Sequence, residues 1–126
     1  KIKIIQIYKE LFNGLRQHSN FKFFYKPHPS ELNSYGMDKM VEVTPTIKDM
    51  DVFIGFTSSL LKEMATEHKL AIQILTADVP ADSFESNGYC LSLRHDKHLN
   101  DKVTEILIHD IKVPFIQNEP LSKILF

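Results

Sequence analysis

The order of apolar and polar residues along this chain predicts alternating helices and strands. Near its beginning, apolar residues recur every three or four positions, which predicts an amphipathic helix that ends near residues 17–20. Ile4, Ile7, Leu11 and Leu15 fall on one face of this helix, with Ile5, Tyr8 and Phe12 beside it. Short apolar runs rich in β-branched and aromatic residues are typical of strands, and they lie at 21–25, 41–43, 51–54, 70–75 and 89–93.

Further elements complete this alternating pattern. Helical spacing returns in two later stripes, which are Leu60, Leu61, Met64 and Ala65, and Leu99, Val103, Ile106 and Leu107. We expect a short helix that begins at 30–32 and is broken at Gly36, one helical turn at 46–50 and a loop at 76–87. The tail, 114–126, is expected to pack across the domain or against another part of a longer protein. Together these elements predict an α/β fold, a Rossmann-like three-layer domain with a mainly parallel sheet.

Composition narrows the class of protein. The 126 residues fit a single domain, 1–126, and the formal net charge of −1 gives no basic field for binding nucleic acid. The one cysteine, Cys90, suits a reducing compartment, and no apolar run is long enough to span a bilayer. Because the chain starts on an apolar helical pattern without methionine, we interpret it as a fragment of a longer protein.

A glycine and three hydroxyl residues separate the strand at 51–54 from the helix that follows it. Gly55 would let the backbone turn, and one of Thr57, Ser58 or Ser59 would cap the helix. Backbone N–H groups and hydroxyls at the start of a helix form a favourable phosphate site. The alternative interpretation is an ordinary capped helix after a core strand.

A second loop, Lys26-Pro27-His28-Pro29, follows the strand at 21–25. The prolines restrict the backbone around His28 and hold it in an extended conformation. We expect Tyr25 and Ile54 near the ends of adjacent strands, at the same edge of the sheet, where open α/β sheets bind ligands.

These two loops, in this order, resemble the C-terminal, nucleotide-binding half of GT-B glycosyltransferases. The pair of motifs is similar to the HP and SS/ST motifs of bacterial sialyltransferases and polysialyltransferases, and wall teichoic acid polymerases that use CDP-polyols carry a similar pair. The likeness covers about residues 21–75. It implies the donor-binding half of a two-domain inverting enzyme that takes a CMP-sugar donor and a glycan acceptor in bacterial capsule or lipopolysaccharide synthesis.

The resemblance also implies roles for individual residues. His28 would donate a hydrogen bond or a proton to the leaving phosphate, and Ser58 and Ser59 would hold that phosphate. Lys26 would add positive charge, and Glu63 would reach the donor ribose. Pro29, Gly55 and Thr57 complete the expected donor site, and the loop at Thr44 and Pro45 would lie near the nucleotide base.

The resemblance further implies a missing N-terminal domain that supplies the catalytic base. The fragment alone would then be inactive, with no metal and no cofactor besides its donor substrate. A cytoplasmic location is expected, with the inner-membrane face as a candidate place of action.

Each of these residues also has a plainer interpretation. His28 would be a loop histidine bonded to nearby backbone, the serines would be a simple helix cap, and Lys26 and Glu63 would be solvated charges. His95 and His98 lack further ligands for a metal and are better explained by a solvated helix start. Two alternative functions stay open: a transferase for CDP-polyols or UDP-sugars, and a non-catalytic Rossmann-like binding module.

Overall fold

The computed structural model describes most of the chain, in nine stretches. These are residues 2–17, 21–27, 36–39, 41–44, 48–56, 60–67, 69–77, 90–110 and 122–126. The α-helices are α1 (Ile2–Leu15), α2 (Leu60–Thr66) and α3 (Leu99–Asp110), and a short 3-10 helix spans Met37–Lys39. The strands are β1 (Phe21–Tyr25), β2 (Glu42–Val43), β3 (Val52–Gly55), β4 (Leu70–Leu75), β5 (Leu91–Arg94) and β6 (Ser122–Leu125).

The six strands form one sheet in the order β2-β1-β6-β3-β4-β5, and all neighbouring strands are parallel. From β1 the chain adds β2 on one side, and from β3 it adds β4 and β5 on the other. The last strand, β6, lies between these two groups and pairs with both β1 and β3. All described strands therefore end at the same edge of the sheet, which we call the carboxyl edge.

One face of the sheet is covered by α1 and α3. The apolar stripe of α1 packs against alternate residues of the strands, because successive side chains of a strand point to opposite faces. The large buried cluster on this face includes Tyr8, Leu11, Phe23, Ile54, Ile72, Val103 and Phe126. Beside α1 lies the start of α3, where the side-chain amide of Asn100 donates a hydrogen bond to the carbonyl oxygen of Glu10.

The opposite face is covered by α2. A smaller buried cluster joins Leu61 and Met64 of this helix to the other set of strand side chains, Phe24, Phe53, Ala71 and Leu125. Helices on both faces of a parallel sheet make three layers, which confirms the predicted α/β, Rossmann-like fold class. The predicted helices at the start of the chain, after β3 and after β5 are all present, and so are the five predicted strands.

Two local predictions differ from the structure, and a third lies outside the described residues. Within the predicted helical turn at 46–50, Lys48 and Asp49 form a turn, and Asp49 has a left-handed φ of 68° that a helix does not contain. The tail was predicted to pack across the domain or against another part of a longer protein, and its described end instead forms a central strand of the sheet. The short helix predicted at 30–32 lies outside the described residues.

Candidate functional site

The carboxyl edge brings together the loops that the sequence singled out. Lys26 follows β1 and Phe56 follows β3, so both loops start at this edge, as predicted. The two strands are not adjacent, however, because β6 lies between them. This corrects the predicted neighbouring positions of Tyr25 and Ile54, because two strand spacings separate the ends of β1 and β3 by about 10 Å.

A cluster of aromatic rings holds these strand ends together from the α1 side. The ring of Tyr8, which is almost fully buried, lies 5.1 Å from that of Phe126, 5.5 Å from Phe56 and 6.5 Å from Tyr25, measured between centroids. Tyr8 therefore contacts the ends of β1, β3 and β6 at once. Buried aromatic pairs of this kind add stability beyond the area they bury, so Tyr8 of α1 helps to hold the three strand ends together.

Lys26 is the predicted loop cation, and it lies at the start of its loop. Its side chain is half-buried, and its backbone N–H donates a hydrogen bond of 3.2 Å to the carbonyl oxygen of Phe126. The nearby Thr44 is also at this edge, since its N–H donates to the carbonyl oxygen of Tyr25 at 2.9 Å. The described ends of β1, β2 and β6 are thus joined by backbone hydrogen bonds directly below the candidate site.

Gly55 is the last residue of β3, and its role differs from the one predicted. The two described residues with positive φ are Gly36, with φ of 87°, and Asp49, so Gly55 is not in a left-handed turn. A Cβ atom at Gly55 would instead lie 2.5 and 2.6 Å from ring carbons of Phe53. The glycine is required by the close approach of this buried ring on the α2 face of the sheet.

The remaining predicted site residues are distributed as follows. Glu63 lies in the first turn of α2 and is exposed, and nothing in the described contacts brings its carboxylate to the carboxyl edge. His28, Pro29, Thr57, Ser58, Ser59 and Pro45 lie outside the described residues. The structure therefore brings Lys26, Thr44, Gly55 and Phe56 to one edge, and the roles of His28 and the hydroxyl residues stay predictions.

One polar residue near this edge was missed by sequence reasoning. Gln73 in β4 is fully buried, and its side-chain amide nitrogen donates a hydrogen bond of 2.8 Å to the carbonyl oxygen of Phe56. Its amide oxygen accepts a hydrogen bond of 2.9 Å from the hydroxyl of Ser92 in β5. The sequence feature that could have indicated a buried polar contact is the lone glutamine within the apolar run Leu70–Leu75.

The segment with two histidines after β5 is held by contacts within the turn and with α1. Asp96 accepts a hydrogen bond of 2.8 Å from the backbone N–H of His98, and this bond lowers the pKa of the Asp96 carboxyl group below its ordinary value. The His95 ring lies 3.3 Å from a carboxylate oxygen of Glu10 on α1. These contacts organise the turn into α3. Within the described stretches, no group of three or more potential metal ligands is found.

None of the described helices is both long and apolar enough to cross a membrane. Comparison of the chain with protein-family models, curated proteins and solved structures finds no match.

Proposed function

We propose that this domain binds the nucleotide-sugar donor of an inverting glycosyltransferase of the GT-B class, with a CMP-activated sugar such as sialic acid as the donor. The observation that carries the proposal is the arrangement of β1 and β3. Both strands end at the carboxyl edge of a parallel sheet, one strand apart, and each leads into one of the two loops that resemble the transferase motifs. Ligands of open α/β sheets bind at this kind of edge.

The chemistry of the two loops fits a leaving phosphate. In an inverting transfer, an acceptor hydroxyl attacks the sugar carbon as the bond from that carbon to the phosphate oxygen breaks. His28 would donate a hydrogen bond or a proton to the departing phosphate, where negative charge develops. Ser58 and Ser59 would bind the same phosphate through hydroxyl and backbone N–H groups, and Lys26 would add a positive charge nearby.

The acceptor's proton must leave as the new glycosidic bond forms. No acid of this chain matches that general base, so the proposal assigns it to a second domain that also binds the glycan acceptor. Bacterial surface polysaccharide synthesis is the setting that the resemblance implies. Under this proposal the domain binds donor by itself and transfers sugar only within a larger enzyme.

Titration of the domain with CMP, CDP, UDP and GDP tests the proposal. We expect CMP or CDP to bind with a Kd on the order of 0.1–1 mM, since half a cleft leaves much of the ligand in water. UDP should bind less tightly. Chemical-shift mapping should place the bound nucleotide at Lys26 and residues 56–59. A preference for UDP would favour a UDP-sugar donor, and binding of none of the four nucleotides would favour a non-catalytic module.

A further inference from the structure

Glu10 of α1 is held at two points by the segment that follows β5. Its carboxylate Oε2 lies 3.3 Å from Nε2 of His95, which comes directly after the last residue of β5. Its backbone carbonyl oxygen accepts a hydrogen bond of 3.2 Å from the side-chain amide of Asn100, in the first turn of α3. We call these two contacts the Glu10 clasp. They join positions that are 85 and 90 residues apart in the chain.

The partners of Glu10 are themselves fixed in place. The backbone N–H of His95 donates a hydrogen bond of 2.9 Å to the carbonyl oxygen of Leu75, at the end of β4. On α1, a Cβ atom at Gly14 would lie 2.8 Å from the amide nitrogen of Asn100, so α1 and α3 approach closely at this point. The side chain of His95 is 22% exposed. The imidazole is therefore largely shielded from water and lies against α1.

The charge of this imidazole sets the strength of its contact with Glu10. Histidine is the side chain that ordinarily changes charge between about pH 5 and 8. A neutral ring makes an ordinary hydrogen bond to a carboxylate, whereas a protonated ring makes a charge-assisted one that is roughly twice as strong. The contact between His95 and Glu10 is thus strongest when the ring is protonated and the carboxylate is ionised, and it weakens as rising pH removes the proton from the ring.

Other charged groups surround the clasp without replacing Glu10. Asp96 accepts a hydrogen bond of 2.8 Å from the backbone N–H of His98 and lies 3.8 Å from Lys102, so it is engaged within its own turn and α3. Among the described residues, Glu10 is the carboxylate that contacts the imidazole. The full set of neighbouring charged or titratable side chains is Arg94, Asp96, Lys97, His98 and Lys102 near the ring, and Lys9 next to Glu10.

We infer that the Glu10 clasp is a pH-sensitive connection, which holds α1 to the segment after β5 more tightly at acidic than at alkaline pH. The contact between the two side chains supplies the pH dependence. The hydrogen bond from Asn100 does not titrate, and it keeps the two partners close at either pH. Because His95 directly follows β5, the clasp lies at the carboxyl edge. Acidity therefore acts on the link between α1 and this edge, whichever ligand the edge binds.

A double-mutant cycle at two pH values tests the inference on the full chain. Total stability cannot do so, since the chain has six histidines and each can contribute to the pH dependence. Glu10→Gln and His95→Gln, singly and together, keep polar groups that carry no charge. Urea denaturation then gives the coupling between the two positions. We expect a coupling of roughly 1.5- to 5-fold in the folding equilibrium constant near pH 5.5, and almost none near pH 8.

Asp96 and Lys102 form the matched control pair, because they too lie at the surface and are 3.8 Å apart. The backbone N–H of His98 lowers the pKa of the Asp96 carboxyl group, so this pair stays charged at both pH values. The coupling between Asp96→Asn and Lys102→Gln should therefore be the same at both. A second measurement follows the side-chain carboxyl carbon resonance of Glu10, which should shift together with the titration of the His95 ring in the wild type.

Two results would overturn the inference. One is a coupling between Glu10 and His95 that is equal at the two pH values or larger near pH 8. The other is a Glu10 resonance that follows the same course in the wild type and in His95→Gln. Should the double variant not fold, this comparison of the Glu10 resonance decides the question, because it needs only the wild type and one surface substitution.

Discussion

The carboxylate of Asp51 accepts a hydrogen bond of 2.7 Å from the backbone N–H of Lys123, at the beginning of β6. The backbone N–H of Asp51 donates in return to the carbonyl oxygen of Lys123 at 2.9 Å. These two contacts join the segment before β3 to the last strand, so Asp51 secures the central strand at the edge of the sheet opposite the candidate site.

Replacing Asp51 with alanine should lower the free energy of unfolding by about 1 kcal/mol, since one charge-assisted hydrogen bond at an exposed position is lost. Asp51→Asn retains an oxygen acceptor and should lose less than half as much. Urea denaturation of the three proteins checks this. Equal losses in both variants would show that the carboxyl oxygen contributes through charge rather than through its contact with Lys123.

Gly55→Ala should destabilise the fold by about 1–3 kcal/mol, because the added Cβ would overlap the buried ring of Phe53. The second variant of a double-mutant cycle, Phe53→Leu, removes the ring atoms in question. Gly55→Ala should then cost much less in the Phe53→Leu background than in the wild type, as measured by urea denaturation. Strictly additive effects would contradict the steric explanation.

Lys26→Gln should weaken CMP binding by roughly three- to tenfold, since the proposed site loses its nearby cation. The binding should also become less dependent on salt concentration. Lys22→Gln is the matched control, because Lys22 lies on β1, just before Lys26, but is exposed and lies 3.9 Å from Glu42. Titrations at two salt concentrations check both variants, and equal affinities for Lys26→Gln and the control would remove Lys26 from the site.

In an active enzyme that contains this domain, His28→Ala should lower kcat by roughly 10²–10³, with a small change in KM. The reason is that charge on the leaving phosphate develops mainly in the transition state, where a lost donor has its largest effect. Ser59→Ala should act more on KM, because it would hold the phosphate in both states. Steady-state kinetics on the two folded variants compares them, and a near-normal kcat for His28→Ala would leave His28 as a structural loop residue.

Local periodicity was enough to predict most elements of this fold. The apolar runs at Phe21–Tyr25 and Leu70–Leu75 coincide with β1 and β4, because a buried parallel strand is a nearly continuous apolar run. Their shared direction also followed from the alternation of strands with helices. The candidate loops could therefore be assigned to one edge of the sheet before their positions were known.

The order of the strands could not be predicted in the same way. Pairing between residues far apart in sequence depends on tertiary packing, so nothing in the run near Ile124 indicated that it would insert between β1 and β3. Two points that sequence reasoning missed, the reason for a glycine at position 55 and the role of Gln73, also depend on tertiary contacts. Gly55 is explained by the ring of Phe53, and Gln73 by contacts with two other strands, none of which is visible in the local pattern.

The central place of β6 has a consequence for how the domain assembles. The pair β1 and β2 and the trio β3, β4 and β5 are not hydrogen-bonded to each other, and β6 alone links them into one sheet. Its contacts with β1, such as Phe21 with Ser122, join positions about a hundred residues apart. Contacts between positions so far apart in sequence slow folding, so the pairing of β6 with β1 is expected to limit how fast the sheet is completed. The candidate ligand edge becomes a single surface only once β6 lies between β1 and β3.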